Sequence, residues 1–130
     1  MDTGAFYARY VVRDEHHEEA QALWRRVAQE RQACLTTNFI LDEMMTLLIY
    51  RFGTLKALQA AREIYTSQII QIIPVTLELE LKALDWLERF LDQNFSMTDA
   101  VSFALMEEKG IKTAFTFDHH FEIAGFEKFR

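Results

Sequence analysis

Two aspartates between Phe95 and Phe121 occupy positions where a carboxylate can do chemistry. Asp99 stands in Ser96-Met97-Thr98-Asp99-Ala100, in the first turn of an apolar helix that runs to about Lys109. Asp118 follows Thr113-Ala114-Phe115-Thr116-Phe117, a strand-like run. Parallel α/β sheets gather ligand-binding groups at strand ends and helix N-termini, in the crevice at the carboxyl edge of the strands. Asp2 and Glu43 sit in comparable settings upstream. These residue types suit hard cations, because Mg²⁺ and Mn²⁺ prefer oxygen ligands and keep several waters. Two such ions in a wet pocket can activate water and stabilise the leaving oxygen of a phosphodiester.

Each acid also has a structural explanation. Asp99 in a first turn meets unpaired N–H groups and the positive end of the helix dipole. Asp118 can cap a short helix through His119, His120 and Phe121. On a helical wheel Glu43 shares a stripe with Phe39, Ile40 and Leu47, whereas Asp42 lies with Asn38 and Thr46, so Glu43 is expected to be buried and Asp42 solvated. A buried carboxylate needs compensation from a cation or a salt bridge. Asp2, before Thr3-Gly4-Ala5-Phe6, reads as a strand end passing into a helix.

The elements that must position these acids alternate between helix and strand. Helices are expected over Glu15–Arg31 with Asp14 as cap, Asn38–Phe52 stopped by Gly53, Thr54–Thr66, Thr76–Leu91 and Thr98–Lys109 ended by Gly110. On the fourth, Leu77, Leu81, Leu84 and Leu91 are expected to face inward. Strands are expected at Ala33–Thr36, at Ile69–Val75 as a central strand buried on both faces, and at Lys112–Phe117, with an edge strand in the tail from Ala124. The pattern implies one α/β domain over residues 1–130, a parallel sheet flanked by helices on both faces. The first strand is short or missing, since only Met1 precedes Asp2.

Composition narrows the function. Half of the 130 residues are apolar and 13% are aromatic, which excludes a disordered chain. No apolar run approaches the ~20 residues of a membrane span, and the lone Cys34 reads as a buried thiol in a reducing compartment, so a cytoplasmic protein is expected. The net charge of −6 argues against a passive nucleic-acid binder but not against a nuclease whose acids hold metal, and it suits a small basic protein partner. His119 and His120 are expected to be solvent-exposed, and Phe103, Phe115, Phe117, Phe121 and Phe126 to be core. Arg9, Arg13, Arg51 and Lys56 are the candidate contacts to RNA.

Taken together, Asp2-Thr3-Gly4-Ala5, Thr37-Asn38-Phe39-Ile40-Leu41-Asp42-Glu43, Ser96-Met97-Thr98-Asp99-Ala100 and Thr116-Phe117-Asp118-His119-His120-Phe121 resemble the PIN domain, in particular the VapC-type toxin ribonucleases of prokaryotes. The resemblance spans the chain. It implies a Mg²⁺- or Mn²⁺-dependent endoribonuclease that hydrolyses RNA without a covalent enzyme intermediate. Asp2, Glu43, Asp99 and Asp118 would be its catalytic metal ligands, and Thr98 and Thr116 would orient carboxylates. A small antitoxin partner and a homodimer are implied as well. Two rivals differ in their requirements. An aspartate-nucleophile phosphatase needs a second acid two residues after Asp2, where Gly4 stands. A non-catalytic module with a degraded acidic pocket would show no metal-dependent cleavage.

Overall fold

The computed structural model describes residues Met1–Arg130. Its helices are α1 (Thr3–Tyr10), α2 (His17–Gln29), α3 (Asn38–Phe52), α4 (Thr54–Tyr65), α5 (Leu77–Arg89), α6 (Met97–Lys109) and α7 (His120–Ile123). The strands are β1 (Cys34–Thr37), β2 (Ile70–Ile73), β3 (Thr113–Ala114) and β4 (Glu127–Lys128). Helix starts follow side-chain chemistry. The hydroxyls of Thr37, Thr76 and Ser96 accept the amides of Ile40, Leu79 and Asp99, which satisfies N–H groups that a helix leaves unpaired. Gly110, in the left-handed region at φ 64°, ends α6.

β1 pairs with β2 and β3 with β4, both in parallel, as two separate two-stranded sheets. Met1 and Asp2 join them. The Met1 ammonium donates to the Leu35 carbonyl at 2.7 Å and the Thr36 hydroxyl donates to the Met1 carbonyl at 3.1 Å. On the other side the Asp2 amide donates to the Phe115 carbonyl at 3.2 Å. Met1 and Asp2 thus bridge β1 and the segment that follows β3. A cavity of about 280 Å³ remains beside them, lined by Leu35, Ile40, Leu105, Phe115 and Phe121 among others.

Two apolar cores flank this junction. One unites α1 to α4 around Phe6, Trp24, Leu41, Met44 and Ile64. The other unites α5, α6 and α7 around Trp86, Phe95, Phe103 and Phe121. In the first, the Trp24 ring tilts against Phe6 at 5.5 Å and Phe115 at 5.4 Å. In the second, Phe103 contacts Trp86, Phe95, Phe121 and Phe126.

Two burial expectations fail here. Leu77, Leu81, Leu84 and Leu91 are exposed, and α5 turns Leu79, Ala83 and Trp86 inward instead. The segment carries two apolar stripes, and the one with the tryptophan wins because an aromatic ring buries more surface and joins the ring cluster. On α4, Leu55 and Tyr65 lie outside and Ala57, Ala60 and Ile64 inside, where small residues allow close approach to α3. The Ile69–Val75 run is not a strand buried on both faces. β2 pairs with β1 alone, Gln71 is exposed, and Ile72 and Ile73 are half-buried.

The face assignment on α5 and α6 is tested by urea unfolding. Phe103→Ala should lose about 3–5 kcal/mol, whereas Leu84→Ala should stay within about 0.5 kcal/mol of the parent. Comparable losses in both would restore the leucine face as core.

Candidate active site

Asp2, Glu43, Asp99 and Asp118 line one pocket of about 260 Å³, together with Thr3, Gly4, Tyr7, Ile40, Leu47, Thr98 and Ser102. Four elements deliver them. Asp2 leads into α1 and Glu43 lies on α3, while Asp99 is in the first turn of α6 and Asp118 sits between β3 and α7. The pocket lining contains no lysine or arginine. None of the chain's lysine or arginine ion pairs involves any of the four acids.

Asp2 is the most constrained. It is 7% exposed, its Oδ1 accepts the Ala5 amide at 2.9 Å as cap of α1, and its Oδ2 accepts the Thr116 hydroxyl. Burial pushes its carboxyl up to about 6, against the opposing pull of those two hydrogen bonds and the Met1 ammonium. The Asp99 carboxylate adds to the rise. The Met1 ammonium is itself buried and shifted down, so it offsets only part of the strain.

Asp99 forms a capping box with Ser96. Its amide donates to the Ser96 hydroxyl at 3.0 Å and its Oδ2 accepts the Ser96 amide at 3.3 Å. Burial still raises its proton affinity, and Asp118 adds to the rise. Asp118 closes a tight turn, with Oδ1 accepting the His120 amide at 2.9 Å. Its own amide donates to the Thr116 hydroxyl at 3.0 Å. That one hydroxyl therefore bonds both the Asp2 carboxylate and the Asp118 backbone amide. Thr98 lines the pocket, and its carbonyl accepts the Ser102 hydroxyl at 3.2 Å.

Glu43 departs from its expected environment. It lines the pocket but is exposed, as is Asp42. The wheel placed it correctly toward Ile40 and Leu47, but Leu47 is itself 42% exposed, so that stripe opens onto the pocket rather than the core. The histidine pair divides. His119 is exposed, whereas the His120 side chain is only 24% exposed and its Nδ1 is buried beside Asp99 and Asp118. Its position directly after Asp118-His119 was the one available signal. Ser96 was quoted with the Asp99 motif, but its holding of the acid was not foreseen.

The candidate RNA contacts lie elsewhere. Arg9 pairs with Glu63 and stacks on Trp24 at 4.4 Å. Arg13, Arg51 and Lys56 line a groove of about 890 Å³ with Val12, Tyr50 and Phe52.

An acidic pocket beside the ends of parallel strands, walled by helix N-termini, defines an α/β domain suited to divalent cations. The PIN domain family model matches residues 1–127, and the chain belongs to that family. It is 38% identical over 130 residues to the 23S rRNA-specific endonuclease VapC20 of Mycobacterium tuberculosis, an alignment covering all of this chain and 96% of the relative. It is 34% identical over 125 residues to a VapC ribonuclease of Archaeoglobus fulgidus, covering 95% of this chain and 78% of that one. The crystal structure of the M. tuberculosis VapC20, a Sarcin-Ricin loop cleaving toxin, superposes with a TM-score of 0.86, covering 96% of this chain and 93% of that one. Family membership removes the aspartate-nucleophile phosphatase. No helix is long and apolar enough to cross a membrane.

The strain on Asp2 gives a pH-dependent prediction. An unfolded aspartate titrates near 3.8 and the folded one near 6, so folded protein holds this proton more tightly. The stabilising contribution is complete below the lower value and is lost as pH rises through 6. Its full size is about 3 kcal/mol. Without divalent ions, Asp2→Asn should therefore be the more stable protein at pH 8, and the gap should close as pH falls towards 4. Urea unfolding in EDTA measures this, and a gap that widens on acidification would contradict it.

Proposed function

We propose that this PIN domain is a divalent-metal-dependent endoribonuclease and the toxin of a toxin–antitoxin pair. The supporting observation is the gathering of Asp2, Glu43, Asp99 and Asp118 around one pocket with no lysine or arginine in its lining. An RNA phosphodiester carries the same charge sign as these acids and would be repelled without a cation between them. The donor set fits Mg²⁺ or Mn²⁺, being oxygen-rich and already disfavoured as bare charge at Asp2 and Asp99. When bound, the cation supplies Lewis acidity, water activation and neutralisation of charge on the reacting phosphoryl group.

The chain's own groups do the positioning. Asp99 and Asp118 would hold the cation from one wall, with Asp2 at the floor. Thr116, bonded to both Asp2 and Asp118, keeps their separation fixed as charge builds. Glu43, the exposed acid, faces the pocket from α3 and would hold the ion or accept a proton from the attacking water at its carboxylate. No serine or cysteine is needed as nucleophile.

The first substrate to assay is 23S ribosomal RNA, on the strength of the 38% identical endonuclease. The groove lined by Tyr10, Val12, Tyr50 and Phe52, with Arg13, Arg51 and Lys56 around it, offers the antitoxin an apolar surface with basic edges. That favours apolar and acidic side chains on the partner, although the chain as a whole is acidic. The exposed leucines of α5 offer a contact for a homodimer.

Cleavage should require Mn²⁺ or Mg²⁺ and stop in EDTA. Asp99→Asn and Asp118→Asn should each lower kcat/KM at least about 100-fold, equivalent to about 2.7 kcal/mol, without loss of the folded circular dichroism spectrum. Equal cleavage by wild type and Asp99→Asn would sink the assignment and favour a non-catalytic module.

A further inference from the structure

With no lysine or arginine in its lining, the acidic pocket offers no counter-charge to the phosphates on either side of a bound phosphodiester. The nearest basic groove lies along the same two helices. On α1, Tyr7 lines the pocket, and Tyr10, one turn on, lines the groove of about 890 Å³. On α3, Glu43 and Leu47 line the pocket, while Leu48, Tyr50 and Arg51 line the groove. Residues four apart share a helix face, so Glu43, Leu47 and Arg51 form one stripe. At about 1.5 Å per residue, Arg51 stands about 12 Å beyond Glu43 along the helix. The two depressions are therefore neighbours, joined by the seam where α1 packs on α3.

The groove reverses the sign of charge found in the pocket. Arg13, Arg51 and Lys56 line it and are all exposed. None of the three has a carboxylate partner. The one acid in the lining, Glu63, is engaged by Arg9 and by the Tyr10 hydroxyl. Tyr50, 87% exposed, and Phe52 stand among these cations. Cations along a groove with exposed aromatic rings suit a single nucleic-acid strand, whose phosphates follow the charges while its bases stack.

We propose that the RNA strand cleaved at the acidic pocket leaves it along the α1–α3 seam and is held in this groove, its phosphates on Arg13, Arg51 and Lys56 and a base on Tyr50. The inference rests on the acidic pocket being the cleavage site, as in the proposed function, and adds the surface that binds substrate beyond the reacting phosphate. Continuity with the pocket favours a phosphodiester chain as occupant, because the cations lie where the flanking phosphates of an engaged strand run. A partner protein seated on the same surface would exclude that strand.

Fluorescence anisotropy of a short labelled single-stranded RNA, in EDTA and at low ionic strength, reads binding apart from cleavage. Log affinity should fall with log salt by about 0.7 for each phosphate engaged. Arg51→Ala and Lys56→Ala should each weaken binding about 10-fold and reduce that slope by about 0.7. Arg51→Lys should retain the slope, and Tyr50→Ala should weaken binding at least about 5-fold with the slope unchanged. With Mn²⁺ present, Arg51→Ala and Lys56→Ala should raise KM for 23S ribosomal RNA and leave kcat in place. These side chains are exposed and unpaired, so the variants should keep the wild-type circular dichroism spectrum. Cleavage by wild type with affinity, slope and KM indifferent to every groove substitution overturns the inference and leaves the groove to a protein partner. Groove-dependent binding with no cleavage in Mn²⁺ or Mg²⁺ overturns the nuclease reading instead and leaves an RNA-binding groove.

Discussion

Crowding of like charge is the constraint on which this molecule turns. Burial raises the cost of ionising Asp2 and Asp99, and a neighbouring carboxylate adds to each rise, Asp99 at Asp2 and Asp118 at Asp99. A chain selected for stability alone would place a lysine or arginine in the gap or drop an acid. Here the nearest imidazole stands off at 3.4–3.6 Å and no basic side chain intervenes. The strain persists because the surrounding scaffold is fixed independently by two aromatic cores. The expected compensation is a divalent cation, whose two charges relieve several carboxylates at once.

The scaffold imposes this crowding with local devices that serve the backbone as well. Asp2 caps α1, Asp99 completes a capping box on α6, and Asp118 closes the turn into α7. In each case a backbone amide orients the carboxylate, and at Asp2 and Asp99 it also lowers the charge penalty. The Thr116 hydroxyl then ties the first of these devices to the third. Met1 and Asp2 bridge β1 and β3, so the buried acid sits at the junction between the two cores. Changes at that junction should therefore be felt at the site and in the stability of the whole domain.

This double use explains what could and could not be read from the residues. The capping reading and the chemical reading of Asp99 and Asp118 competed in sequence, yet in the structure both describe the same carboxylate. The ends of α3 and α6 were legible because Gly53 and Gly110 act locally, whereas α1 had no expected limits and α2 starts at His17 without the Asp14 cap. The inward face of α5 was not, since Leu81 and Trp86 lie on stripes that periodicity cannot rank and only the ring cluster around Phe103 decides between them. Glu43 was correctly directed but wrongly buried, because a wheel gives direction and not what lies opposite. His120 was expected at the surface with His119, and its half-buried setting depends on Asp99, a residue 21 positions earlier that the fold brings alongside.

The stability of the metal-free protein as Mn²⁺ is added tests the central claim most directly. Urea unfolding at pH 7.5 should show wild type gaining free energy as RT ln(1 + [Mn²⁺]/Kd), about 2.7 kcal/mol at a hundredfold excess over Kd. Asp99→Asn should gain far less at the same concentrations. Wild-type stability that stays flat into the millimolar range would mean that the crowded carboxylates do not await a cation, and the account would fail.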